Sequence, residues 1–143
     1  MTTSEIFSMA NFIAIPMWLL LVFVPKWKIT RFLIDYKLIP IALSLVYAVY
    51  IIHYLRTEGM MDFGSLNSVM GLFTKENAVL AGWIHYLVFD LLVGIWIVNQ
   101  NNKYNIHQLL IALCLFGTFM FGPIGFLLFM IMKSLKNSEN EIS

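Results

Sequence analysis

Four apolar runs, separated by polar and charged segments, organise this chain. The first extends from Ile6 to Val24 with Asn11 as its only strongly polar side chain. Pro16 lies inside it, which a helix in lipid tolerates when neighbouring groups satisfy the freed carbonyl. A basic connection follows (Lys26, Lys28, Arg31, Lys37), and Trp18 and Trp27 stand where interfacial aromatics collect. The second run, 38–55, carries Pro40 in what would be its first turn, a position that helix starts accept. The third covers 78–98 and ends in Asn99-Gln100-Asn101-Asn102-Lys103. The fourth covers 106–132, uncharged from Leu109 to Met132, with Gly122-Pro123-Ile124-Gly125 inside it. Proline removes a helix hydrogen bond and clashes with the preceding turn, which predicts a kink or break there.

Each run approaches the roughly 20 residues needed to cross a bilayer core. The predicted fold is therefore all-α: one polytopic membrane domain over 1–143, a bundle of about four transmembrane helices. Between the second and third runs, 56–77 mixes Glu58, Asp62, Lys75 and Glu76 with an apolar segment, 66–73, too short to span. It reads as an interfacial or re-entrant loop. The tail, 133–143, is polar and expected to be mobile.

Composition agrees with this pattern. The chain is 60% hydrophobic and 12% charged, and its mean hydropathy is +0.81, far from the balance of a soluble domain. The net charge of +1 comes without a basic stripe, so nucleic acid is not an expected partner. Membrane lipid is, and a second copy of the chain is a further candidate. The single cysteine, Cys114, lies in an apolar run and reads as a packing residue, and no CxxC motif occurs. The opening residues lack the basic start and small-residue site of a cleaved signal peptide, so the first run reads as retained.

An even number of spans puts both termini on one side. Lys26, Lys28, Arg31, Lys37 and Lys103 then face Arg56, Lys75, Lys133 and Lys136 across the membrane, five against four. The first span usually has the largest say, and its positive charges all follow it. That favours both termini outside the cytoplasm.

Of eight acidic residues, Asp90 alone lies in mid-run. A carboxylate at the centre of a membrane helix costs about 2.5–3.5 kcal/mol even on lenient insertion scales, so it faces the bundle interior or a cavity. It is either an acid or base in a pocket or a hydrogen-bonded packing group. His85 is on the same run, but five residues correspond to about 140° of rotation and about 7.5 Å of rise. The two side chains do not share a face. Asp90 shares one with Trp83, Tyr86 and Gly94, which reads as a pocket wall or a helix contact. Asn11 is the natural hydrogen-bond partner for a buried carboxyl. Tyr47, Tyr50 and Tyr54 form a stripe that suits an interhelical seam or a ligand groove equally.

The three histidines, His53, His85 and His107, include no HxxxH or HxxE pair, so no metal site is expected, and no phosphate-cradling loop or GxSxG elbow occurs. No cofactor is expected. Proton transfer on an apolar substrate suits these residues best.

The string Gly82-Trp83-Ile84-His85-Tyr86-Leu87-Val88-Phe89-Asp90-Leu91-Leu92-Val93-Gly94 resembles the abscisic-acid-deficient-four-like family. The likeness extends to Asn11-Phe12-Ile13-Ala14-Ile15-Pro16, to Trp18-Leu19-Leu20-Leu21, to the 63–73 loop and to Phe121-Gly122-Pro123-Ile124-Gly125-Phe126-Leu127. Plant members of that family are tied to neoxanthin formation from violaxanthin, a redox-neutral opening of an epoxide to an allene and an alcohol. The resemblance implies a carotenoid isomerase, here a bacterial-type member in the cytoplasmic membrane, since no plastid transit segment is seen. It implies a proton donor and acceptor, with Asp90, His85 and Tyr86 the expected catalytic groups and Asn11, Trp83, Gly94, Tyr47 and Tyr50 the expected substrate contacts. A protein that binds a carotenoid or lipid unchanged, and a structural subunit of a membrane complex, are the alternatives.

Overall fold

A computed structural model describes residues 1–142. They form seven helices and no strand: α1 (Thr3–Phe23), α2 (Lys28–Tyr36), α3 (Leu38–Thr57), α4 (Leu66–Leu72), α5 (Glu76–Tyr104), α6 (Gln108–Phe121) and α7 (Pro123–Ile142). The all-α class follows the hydrophobic pattern, and α1, α3 and α5 are long and apolar enough to cross a membrane.

Local chemistry sets the helix ends. The Thr2 hydroxyl accepts the Glu5 N–H while the Glu5 carboxylate accepts the Thr2 N–H at 2.7 Å, a reciprocal cap that starts α1. Lys37, at φ 50°, takes the left-handed conformation that turns the chain from the short amphipathic α2 into α3. Asn105, also at φ 50°, ends α5. His107 then caps α6, its Nδ1 accepting the Leu109 N–H at 3.2 Å. That local bond gives His107 a structural task.

α5 is the central element, packed against α1, α3, α6 and α7. Two layers of core line it. Ile6, Ala10, Ala14, Leu43, Ile84 and Leu87 fill the half nearer the N-terminus of α1. Met17, Trp18, Leu21, Leu91, Ile95, Leu115 and Phe129 fill the other. Polar contacts tie the two ends. At the first, Thr3 donates to Glu76, and Lys75 pairs with Glu58 at 2.9 Å. At the second, Gln108 donates to the Val22 carbonyl at 2.9 Å, and Arg31 donates to Asn99 at 3.1 Å.

The fourth apolar run departs from expectation in part. The expected kink or break is a break at Gly122, and the single span expected over 106–132 is two helices folded back on one another. Gly122 has φ 50° and ψ −94°, a conformation open to glycine, and Pro123 opens α7. In a straight helix Gly117 and Gly125 would lie about 12 Å apart. Here a Cβ added to Gly117 would be 3.2 Å from the Gly125 Cα, and one added to Gly125 would collide with the Thr118 backbone and hydroxyl. Cys114 and Met132 bring their sulfur atoms to 3.7 Å. α7 therefore returns to the end it came from, where the Lys133 ammonium lies 5.2 Å from the Tyr104 ring centre. The two chain ends consequently sit at opposite ends of the bundle, contrary to the expectation of one shared side. The polar tail, expected to be mobile, continues α7 as helix through Ile142, while Ser143 lies outside the described residues.

Candidate functional site

Asp90 is the central residue of α5, about 21 Å from either end of that helix at 1.5 Å per residue. α6 is 14 residues long, also about 21 Å. Its tip thus comes level with Asp90, and the two meet. A Cβ added to Gly122 would lie 2.9 Å from Asp90 Oδ1. Only glycine at the turn lets the carboxyl stand against the hairpin backbone. The second carboxyl oxygen, Oδ2, is buried and makes no hydrogen bond among the described residues.

Tyr86 lies one turn before Asp90 and donates its hydroxyl to the Phe119 carbonyl at 2.7 Å. The reason is backbone arithmetic. The chain leaves the helix at Gly122, and Pro123 has no N–H, so the Phe119 carbonyl has no partner in its own helix. The phenol supplies one. One turn farther out, Trp83 packs on Tyr86, ring centres 5.5 Å apart, and donates its indole N–H to Asn11 Oδ1 at 2.9 Å. On the other side of Asp90, Gly94 meets the Trp18 ring so closely that a Cβ would be 2.8 Å from it, and Trp18 in turn packs edge-on against Phe119 at 5.5 Å. Trp83, Tyr86, Asp90 and Gly94 form one face of α5 that contacts α1 and the tip of the hairpin. An apolar groove between α1 and α6, of about 280 Å³, has Trp18, Leu19, Phe116 and Phe119 in its walls. Phe119 belongs both to that wall and to the Tyr86 hydrogen bond.

His85 points elsewhere. Its ring contacts Phe89 at 4.7 Å and Tyr47 of α3 at 5.8 Å. It lines an open-sided cavity of about 250 Å³ between α3 and α5, bordered by the 61–73 segment, with Tyr47, Phe63, Phe73 and Gly82 also in the wall. Two features hold the segment over it. The Glu58 carboxylate, by hydrogen bond and by charge, raises Lys75 above the ordinary ammonium value. Hydrogen bonds from the Ser68 hydroxyl and from the Gly64 N–H, the latter at 2.8 Å, hold Asp62 below the usual carboxylate range. Among the described residues, no three His, Cys, Asp or Glu side chains gather as a metal site would require.

A family profile described as ABA DEFICIENT 4-like matches residues 5–129. The chain belongs to the ABA DEFICIENT 4-like family. It is 24% identical over 145 residues to "Protein ABA DEFICIENT 4, chloroplastic" of Arabidopsis thaliana, an alignment that takes in 95% of this chain and 64% of the relative. The chain thus spans less than two thirds of that relative's length. No solved structure matches it.

In this ABA DEFICIENT 4-like chain, the residues singled out from sequence fall into two groups. Tyr86, Asp90, Trp83 and Gly94 come together, with Asn11 at the edge. Asn11 bonds to Trp83, however, instead of to the carboxyl it was expected to meet. His85 and Tyr47 form the other group, on a different side of α5, as five-residue spacing requires. The tyrosine stripe divides: Tyr47 lines the cavity, Tyr50 packs against the core of α1, α3 and α5, and Tyr54 is buried under Lys75. Trp18, Phe119 and Gly122 are the members of the Asp90 group that sequence reasoning did not assign; Trp18, expected among interfacial aromatics, is buried against Gly94. The signal for the other two was Pro123, which marks the carbonyl four residues earlier as one that its own helix cannot satisfy.

Proposed function

We propose that this protein is an integral membrane isomerase that moves a proton on an apolar, oxygen-bearing polyene of the xanthophyll-epoxide kind, with Asp90 as the proton carrier. The supporting observation is the Asp90 carboxyl itself, central in α5, set against the break of a helical hairpin, with one oxygen unbonded. A buried polar atom without a partner is costly, and substrate oxygen is a partner it could take. Protonating an epoxide oxygen breaks one C–O bond, and removing a proton from the adjacent carbon completes a redox-neutral isomerisation. The two oxygens of one carboxyl can give and take in succession. Tyr86 donates its hydroxyl to the Phe119 carbonyl, and its oxygen remains able to accept a hydrogen bond from a protonated Asp90. His85 is outside this reaction centre. The apolar groove between α1 and α6 is the approach for a substrate dissolved in lipid.

The membrane arrangement is part of this reading. α1, α3 and α5 cross, while α6 and the apolar half of α7, at about 21 Å and about 15 Å, enter and leave by the same face, being too short for a core of about 30 Å. Irregular backbone at that depth is tolerated only where protein buries it, and Gly122 and Gly125 are the buried residues of the turn. This arrangement also resolves the charge balance. Lys26, Lys28, Arg31, Lys37, Lys103, Lys133 and Lys136 fall on one side, and Arg56 and Lys75 on the other. Positive residues mark the cytoplasmic side, so the C-terminus faces the cytoplasm and the N-terminus faces away.

The test is expression in a carotenoid-producing host with pigment analysis. Wild type should yield a new isomer that Asp90→Asn does not, with both proteins equally inserted. Full conversion by Asp90→Asn would remove the mechanism.

A further inference from the structure

The His85 cavity is separate from the Asp90 group and is built differently. Its wall is apolar except for the imidazole and the Tyr47 phenol, and its roof is the 61–73 segment. α4, within that roof, buries no residue of its own. The roof instead turns large apolar side chains outward: Phe63 is 70% exposed, Leu66 77% and Phe73 65%. It lies at the end of the bundle held by the Glu58–Lys75 pair, so it rests at the membrane surface and opens the cavity to the lipid headgroup region. An engineered cavity of about 150 Å³ accepts a benzene ring. At about 250 Å³, this one has room for a single six-membered ring carrying alkyl substituents.

We infer that this cavity is a second ligand site, which takes the oxygen-bearing six-membered ring at the end of an amphiphilic lipid, with His85 hydrogen-bonding the ring oxygen. Amphiphiles place their polar ends at the bilayer surface, which is the depth of this cavity. A ring fits between the Tyr47 ring and the apolar side chains of Ile51, Leu72 and Ala81, and its chain would leave along the seam of α3 and α5 into the bilayer. Gly82 widens the space: a Cβ added there meets nothing within 4 Å. The site lies on another side of α5 from Asp90, so occupation of one does not require chemistry at the other.

The experiment uses the full chain in lipid nanodiscs with ¹³C-labelled histidine, the three imidazole signals being assigned from His53→Gln and His107→Gln variants. The probes are 4-tert-butylcyclohexanol and tert-butylcyclohexane. The alcohol should shift the His85 signal saturably and leave the other two in place. It should bind about tenfold more tightly than the hydrocarbon, the usual worth of one hydrogen bond. Gly82→Phe should abolish the shift, Gly82→Ala should keep it, and Asp90→Asn should leave it unchanged. Leu72→Trp, placed on a roof helix without a core, fills the same space from the other side should Gly82→Phe fail to fold. No saturable shift at His85, equal binding of the two probes, or a shift that survives both filling variants would overturn the proposal. Loss of isomerisation in Asp90→Asn with ring binding intact separates this site from the proposed reaction.

Discussion

A methyl group added at Gly125 would collide with the Thr118 amide nitrogen and hydroxyl and with the Cys114 carbonyl oxygen. Two of those atoms are backbone in a regular helix and cannot turn aside. Gly125→Ala must therefore push α7 off α6, and with it Phe129, which is fully buried against Trp96. Overpacking costs about 1–3 kcal/mol, and more where backbone has to move. A loss of about 3 kcal/mol or more is expected, on the order of a hundredfold in the unfolding equilibrium at 1.4 kcal/mol per tenfold. Gly82→Ala is the same chemical change with the opposite outcome. Its Cβ meets nothing within 4 Å, and alanine is favoured over glycine inside a helix by about 0.5–1 kcal/mol. Gly94→Ala falls between them, since its obstacle is the edge of the Trp18 ring, a side chain that can shift. Equilibrium unfolding of the purified protein by SDS titration, followed by tryptophan fluorescence, ranks the three. Gly125→Ala within about 0.5 kcal/mol of Gly82→Ala would mean that the two arms do not meet at Gly125, and the hairpin reasoning would fail.

Three further outcomes are expected. In a Cys114→Ala background, Ser4→Cys and Ser138→Cys should react with a membrane-impermeant maleimide from opposite faces of sealed vesicles; labelling from one face would refute three crossings and a hairpin. Tyr86→Phe leaves the Phe119 carbonyl without a donor and should cost about 1–3 kcal/mol in the SDS titration, whereas unchanged stability would show that water or another group already serves it. The Asp62 carboxyl is held below its ordinary value of 3.8 by Ser68 and Gly64, so its hold on the roof segment is present above that value and lost as pH falls through the lowered one. Protection of the Gly64 amide, its exchange rate relative to that of an unstructured amide at the same pH, should be steady from neutral pH down to about 4 and fall only below it; loss of protection nearer neutrality would contradict this assignment.

The apolar runs that became α1, α3 and α5 were legible because length and composition alone identify such helices, and the face shared by Trp83, Tyr86, Asp90 and Gly94 followed from helical period. The hairpin was half legible. Gly122-Pro123 announces a break, but a kink and a full reversal leave the same mark in the sequence. What decides is the contact of Gly117 with Gly125, a tertiary fact. Asn11 shows the same limit in a smaller way: an amide in lipid must find a partner, yet its choice of Trp83 over Asp90 depends on how α1 is rotated against α5. The His85 cavity was illegible, since its roof comes from a loop whose apolar residues gave no periodic signal.

The brevity of α6 and α7 bears on how the protein is made. Each arm alone offers the insertion machinery too few apolar residues to be released into lipid as a stable segment. In the proposed membrane arrangement the final quarter of the chain would enter as a pair, and Gly122 finds its contact with Asp90 only once α5 is in place. Assembly has an order built into it, with the carboxyl of Asp90 left waiting until the last segment arrives to close over it.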